Sequence, residues 1–176
     1  MGATLFVVNF AIFLAKKQKA KVAAIELDGA VDFQKIAARK ETKTQTVKGG
    51  IMYQYKGVDF FSGQFDCAIR EQFSEYDFVI FDLGNQVIRF KEFFLKCDQR
   101  IILGSSLEWH QYEFEHFLSY ARQVENYKDW EYLDVTGLKR KICFIDDGKI
   151  KLKRLAWLAD PFEEADSRIR LYQSLL

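Results

Sequence analysis

The chain has 176 residues, enough for one domain with a real hydrophobic core. Hydrophobic residues make up 49% of it, with 17 Phe, 8 Tyr and 3 Trp to fill a core or an interface. Lys and Arg total 26 against 25 Asp and Glu, which excludes a global electrostatic pull toward nucleic acid or anionic membrane.

The N-terminal run "TLFVVNFAIFLA" is apolar, but no basic segment precedes it and no small-residue cleavage site follows. It is also shorter than the ~20 apolar residues of a membrane-spanning helix. It predicts a buried core helix and a cytoplasmic protein. "KVAAIELD" (Lys21–Asp28) then reads as a strand covered on both faces, since its apolar run does not alternate. "AVDFQKIAARK" reads as a short helix and "ETKTQTVKGG" as a loop or irregular edge. "IMYQYKGVDFFSG" predicts a hairpin around Lys56-Gly57.

"QFDCAIREQFSEY" sets Phe65, Ile69 and Phe73 at helical spacing and leads into "DFVIFDLG" (Asp77–Gly84), the clearest buried strand. "VIRFKEFFLKC" predicts a full or partial helix, and "QRIILGSS" a further buried strand. "LEWHQYEFEHFLSYARQVENY" is the best amphipathic helix, with Phe114, Phe117, Leu118, Ala121 and Val124 on one side. "WEYLDVTG", "KRKICFID" and "KLKRLAWLAD" read as strands, and Asp160-Pro161 breaks the chain before a final helix. Alternating strands and helices predict an α/β three-layer sandwich on a mostly parallel sheet, as a single domain over residues 1–176. "KVAAIEL", "DFVIFDL" and "QRIILG" are expected as adjacent interior strands.

Ligands of open parallel sheets bind beyond the carboxyl ends of the strands. Asp28, Asp82 and Ser105-Ser106 follow three of the predicted strands and are candidates for such a site. An apolar run ending in Asp suits a Mg²⁺–phosphate site, though Asp also caps turns for purely structural reasons. Cys67, Cys97 and Cys143 lack paired spacing and read as small buried hydrophobes. Two histidines, His110 and His116, offer little to a metal. Trp109-His110 at a helix start reads as core or interface before ligand contact. Lys139, Arg140, Lys141, Lys149, Lys151, Lys153 and Arg154 fit either a local basic face for DNA or an acidic partner, or the outward positions of a strand pair.

The order of pieces resembles ParA/MinD-type P-loop ATPases over nearly the whole chain. "GATLFVVNFAIFLAKKQKAKVAAIELDGAVDF" looks like the stretch from the end of the Walker A loop through the second strand. "SEYDFVIFDLGN" resembles the Walker B and switch II segment, "CDQRIILGSSLEWHQYEFEHFL" the next strand and helix, and "LADPF" the loop near the base. The resemblance implies a P-loop NTPase-like fold with ATP and Mg²⁺ as cofactors. It implies that Gly2 and Thr4 touch phosphate, that Thr4 and Asp82 serve the metal, and that Asp28 positions the attacking water. Gly84 becomes the glycine near the γ-phosphate, and Asp160, Pro161 and Phe162 neighbours of adenine.

Ala3 stands where the family carries its phosphate-binding lysine, and Glu26 replaces the first acid of an Asp-x-Asp pair. The family's first strand, upstream glycines and second lysine have no counterpart in this sequence. A phosphate needs loop amides and a lysine that neutralises it. The expectation is therefore a regulatory or positioning protein that dimerises and binds partners, with nucleotide binding weakened or lost. The alternative is an active Mg-ATP hydrolase switch whose natural chain extends upstream. A sheet short of one strand predicts a homodimer. A third reading anchors "RIRLYQSLL" at a membrane surface through Ile169, Tyr172, Leu175 and Leu176, against the simpler reading that these residues pack on the sheet.

Overall fold

The computed structural model describes residues 2–65, 73–105, 107–136, 143–145, 150–156, 160, 162 and 166–176. The fold is α/β with mostly parallel strand pairing. It packs as two compact units, one of residues 1–94 with 160–164 and one of 95–159 with 165–176.

In the first unit, α1 (Ala3–Lys17) buries nine consecutive residues from Phe6 to Leu14. Phe6, Phe10 and Phe13 recur at one-turn spacing and stack with ring centroids 5.4 and 6.3 Å apart. Each such ring contributes roughly 1.5–3 kcal/mol by leaving water. Lys16 and Lys17 close the last turn, where cations suit the helix dipole. α1 packs on β1 (Val22–Glu26), whose five residues are all buried. This is the buried helix and two-face strand that the apolar runs predict.

The remaining elements are α2 (Asp32–Arg39), β2 (Thr44–Val47), β3 (Gly50–Tyr55), β4 (Val58–Gly63), β5 (Phe78–Asp82) and the first four residues of α3 (Lys91–Lys96). The sheet order is β2-β3-β4-β1-β5, with β4 and β5 both parallel to β1. The predicted hairpin forms β3 and β4. Lys56 and Gly57, at φ 51° and 84°, supply the two left-handed positions that a tight right-twisting turn requires. "TQTV", expected as a loop or irregular edge, is the exposed edge strand β2. The helical spacing of Phe65, Ile69 and Phe73 falls largely on residues 66–72, outside the described residues.

The second unit holds β6 (Ile101–Gly104), α4 (Glu108–Ala121), β7 (Glu131–Asp134), β8 (Cys143–Ile145), β9 (Ile150–Arg154) and α5 (Asp166–Gln173). Its sheet runs β6-β7-β9-β8, with β8 antiparallel to β9. Phe114, Leu118 and Ala121 of α4 are buried at helical spacing. A Cβ on Gly104 would fall 2.7 Å from the Phe114 ring, so glycine makes room for this helix.

One expectation is corrected here. β1 and β5 are neighbours, but β6 belongs to the second sheet, and among the described residues β5 and β6 each stand at the end of their sheet's order. Their apolar sequences predict cover on two faces, yet a sequence run does not say whether a neighbouring strand exists. No helix among the described residues is long and apolar enough to cross a membrane.

Candidate functional site

The parallel register carries polar residues to one end of the first sheet. Glu26, the last residue of β1, lies between Ser62 of β4 and Asp82 of β5. All three are buried at 1% exposure or less. The carboxyl ends of the strands thus form a corner rich in carboxylates, roofed by the N-terminus of α1.

Asp82 is the centre of this corner. Its Oδ1 accepts the Gly84 N–H at 3.0 Å, and the Thr4 hydroxyl lies against the same carboxylate. Its Oδ2 is buried without a hydrogen-bond partner. Burial pushes the carboxyl above its ordinary range, the Thr4 and Gly84 donors oppose this, and the charges of Asp28 and Asp32 push it further up.

Asp28 follows β1. Its Oδ1 accepts the Ala30 N–H at 3.0 Å. Its Oδ2 faces Gly84, where an added Cβ would stand only 2.3 Å away. Gly84 also sits at φ 52°, so both backbone and space require glycine. Gly2 is the N-cap of α1, and its carbonyl accepts the Phe6 N–H at 2.9 Å. No side chain caps this helix, so its first-turn amides remain available to an anion.

Glu26 has a structural task as well. Its Oε2 accepts the Ser62 hydroxyl at 2.6 Å and its Oε1 the Asp32 N–H at 2.7 Å. Burial raises its pKa, the Ser62 and Asp32 donors lower it, and Asp28 raises it again. The carboxylate so ties the start of α2 to the sheet. Ser62 escapes a reading of the sequence because only the strand register brings it to Glu26, and Asp32 because its bond depends on how the loop after β1 turns back. Asp32 in turn pairs with the exposed Lys35 at 2.7 Å.

The structure therefore brings Gly2, Thr4, Asp28, Asp82 and Gly84 to one corner. It does not bring Asp160 and Phe162 there. The Phe162 N–H reaches Asp160 Oδ1 at 2.8 Å, and the Phe162 carbonyl accepts Lys56 Nζ at 2.5 Å. The ring meets Tyr55 edge-on at 5.1 Å, with Lys40 Nζ 4.7 Å above it. Tyr55 pairs with Val58, which aligns with Val22 at the opposite end of β1. Four residues of strand, about 13 Å, separate the two ends. Pro161 and Ser106 lie outside the described residues. Ser105 accepts the Leu107 N–H at 3.3 Å and belongs to the second unit.

A hard divalent cation takes oxygen ligands, and an orphaned carboxylate oxygen beside a threonine hydroxyl fits that demand. The phosphate half fits poorly. Ala3 contributes no cation; Asp28 and Asp32 push Asp82 toward its neutral form, and the exposed Lys35 pairs with Asp32 while also acting on Glu26 and Asp28. Among the described residues no group of three or more His, Cys, Asp or Glu is arranged to hold a metal alone. No family model matches this chain, and no curated protein matches it.

Proposed function

We propose that this chain is a ParA/MinD-like regulatory or positioning protein that acts by dimerisation and partner binding, with nucleotide binding weakened or lost. One observation carries the reading. Thr4, Asp28, Asp82 and Gly84 gather at the N-terminus of α1, where the foremost charges acting on Asp82 are the carboxylates Asp28 and Asp32. A site of this kind keeps the layout of a metal–phosphate centre without its neutralising charge. Free nucleotide is repelled by the carboxylates, and uncompensated charge in a partly dry site is expensive.

A second reading, an active Mg-ATP hydrolase switch, is favoured by the unpartnered Asp82 Oδ2 beside Thr4. Titrating a fluorescent ATP analogue with Mg²⁺ separates the two. Our reading expects weak or undetectable binding to the wild type. Tight binding that Asp82→Ala abolishes would overturn it in favour of the switch ATPase.

A further inference from the structure

The loop that follows β1 holds a strained residue. Val31 sits at φ 53° and ψ 27°, left-handed backbone that a β-branched residue rarely adopts. Gly29, two residues earlier, has φ 77°, which glycine bears freely. Strain like that of Val31 persists only where the surroundings hold the chain.

Two side chains do the holding. Glu26, buried at 1% exposure, accepts the Asp32 N–H at 2.7 Å, one residue beyond Val31. The Phe33 N–H bears on the same carboxylate. Val31 gives α2 no side-chain cap, so an acid from the sheet caps this helix instead. The second oxygen of Glu26 accepts the Ser62 hydroxyl at 2.6 Å, which fixes the carboxylate to β4. On the outside, Lys35 Nζ donates to the Ala30 carbonyl at 3.1 Å and to Asp32 at 2.7 Å. The Lys35 side chain is 63% exposed, so water and salt weaken its grip.

Two effects act the other way. Val31 gains by relaxing to a negative φ. Asp28, on the same loop, brings its charge toward the buried carboxyls of Glu26 and Asp82 and raises the pKa of both. The Asp28 bond to the Ala30 N–H lies inside the loop and can move with it.

We infer that Glu26 is the latch of a spring-loaded loop: its hold on the start of α2 keeps residues 28–31, and with them Asp28, closed against Gly84 despite the strain at Val31. When the Asp32 N–H leaves Glu26, Val31 is free to take a negative φ and Asp28 withdraws from Gly84. The corner then opens on the side of the loop, while β1 keeps its pairing with β4 and β5. Every group in this device belongs to the first unit. The latch regulates the corner of the proposed function, and rests on that reading only for what the opened loop serves.

The test is amide hydrogen exchange, read by NMR on the full chain without nucleotide. The Asp32 amide reports the latch, and the amides of β1 and β4 report the sheet. Glu26→Gln keeps the shape and removes the charge. It should lower Asp32 protection about tenfold, with the sheet unchanged. Val31→Gly relieves the strain without adding a capping side chain, and should raise Asp32 protection several-fold. Lys35→Ala should matter less than Glu26→Gln. Unchanged Asp32 protection in Glu26→Gln overturns the latch, as does a larger loss in Lys35→Ala. Unchanged or lower protection in Val31→Gly overturns the spring. Should Glu26→Gln loosen the whole sheet, Val31→Gly decides alone. Tight binding of the ATP analogue would overturn the proposed function and leave these exchange results, and the latch, standing.

Discussion

Gly84 and Asp28 are in contact across two loops: a Cβ on Gly84 would stand 2.3 Å from the Asp28 Oδ2. The loops after β1 and β5 therefore share one position. Gly84→Ala forces the Asp28 side chain aside and places a Cβ on a left-handed backbone at φ 52°. We expect a loss of about 1–3 kcal/mol in urea unfolding. Adding Asp28→Ala removes the carboxylate but keeps a Cβ 2.9 Å from the new one, so it should recover part of the clash and leave the rest together with the backbone strain. If the double variant recovers nothing, the contact is not what glycine serves.

Much of this corner is legible from residue type alone. Apolar runs ending in Asp28 and Asp82 announce carboxylates at strand ends, and parallel pairing with β1 brings both ends to one side. Gly84 is legible as a turn. Its contact with Asp28 is not, because it depends on two loops that are distant in sequence. Glu26 reads as a substituted acid, yet its bond to Ser62 follows from register and its bond to Asp32 from the course of the loop after β1. The assignment of β5 and β6 to different sheets is invisible for the same reason: an apolar strand reports cover on its faces and is silent about its edges. The placing of Phe162 beside Tyr55 and Lys56 arises from packing at the hairpin, which local pattern does not encode.

Asp82 predicts a pH dependence. Its carboxyl titrates above the ordinary 3.8 in the folded chain, chiefly because it is buried. The folded state thus binds this proton more readily than the unfolded chain. The favourable contribution is complete below 3.8 and is lost as pH rises through the folded value. At neutral pH the charged form costs stability. Asp82→Asn should therefore raise the melting temperature by a few degrees at pH 7, an advantage that shrinks on acidification toward pH 4. The Gly84 N–H keeps its acceptor in that variant. A lower melting temperature for Asp82→Asn at pH 7 would show that the carboxylate is compensated.

Val31 precedes α2 at φ 53° and ψ 27°, with its side chain 39% exposed. A β-branched residue in this left-handed region is strained by about 1–3 kcal/mol. Its side chain gains little from burial in return. Val31→Asn relieves the strain, since asparagine tolerates this conformation, and adds a capping side chain at the helix start. We expect a gain of about 1 kcal/mol by denaturant unfolding. A neutral or destabilising result would mean that Val31 makes a contact worth as much as its strain.

The final helix offers the last test, between membrane contact and internal packing. Two of the four residues proposed for an apolar membrane face, Tyr172 and Leu175, are buried at 2% and 1% exposure. Of the two basic residues beside them, Arg170 is exposed, while Arg168 is buried at 1% and donates to the Tyr172 hydroxyl at 3.1 Å and to the Ala156 carbonyl. Leu176, at 53%, is the exposed member of the set. An interfacial helix must present its apolar face and its cations outward together. Here Tyr172, Leu175 and Arg168 are buried, which leaves Leu176 and Arg170 exposed and no continuous apolar face between them. The intact chain should stay in the supernatant when vesicles rich in anionic lipid are pelleted. Tyr172→Ala should lower the melting temperature by several degrees, because it opens a cavity and leaves a buried guanidinium short of an acceptor. Pelleting of the folded wild type that is lost on deleting residues 167–176 would return the helix to the membrane.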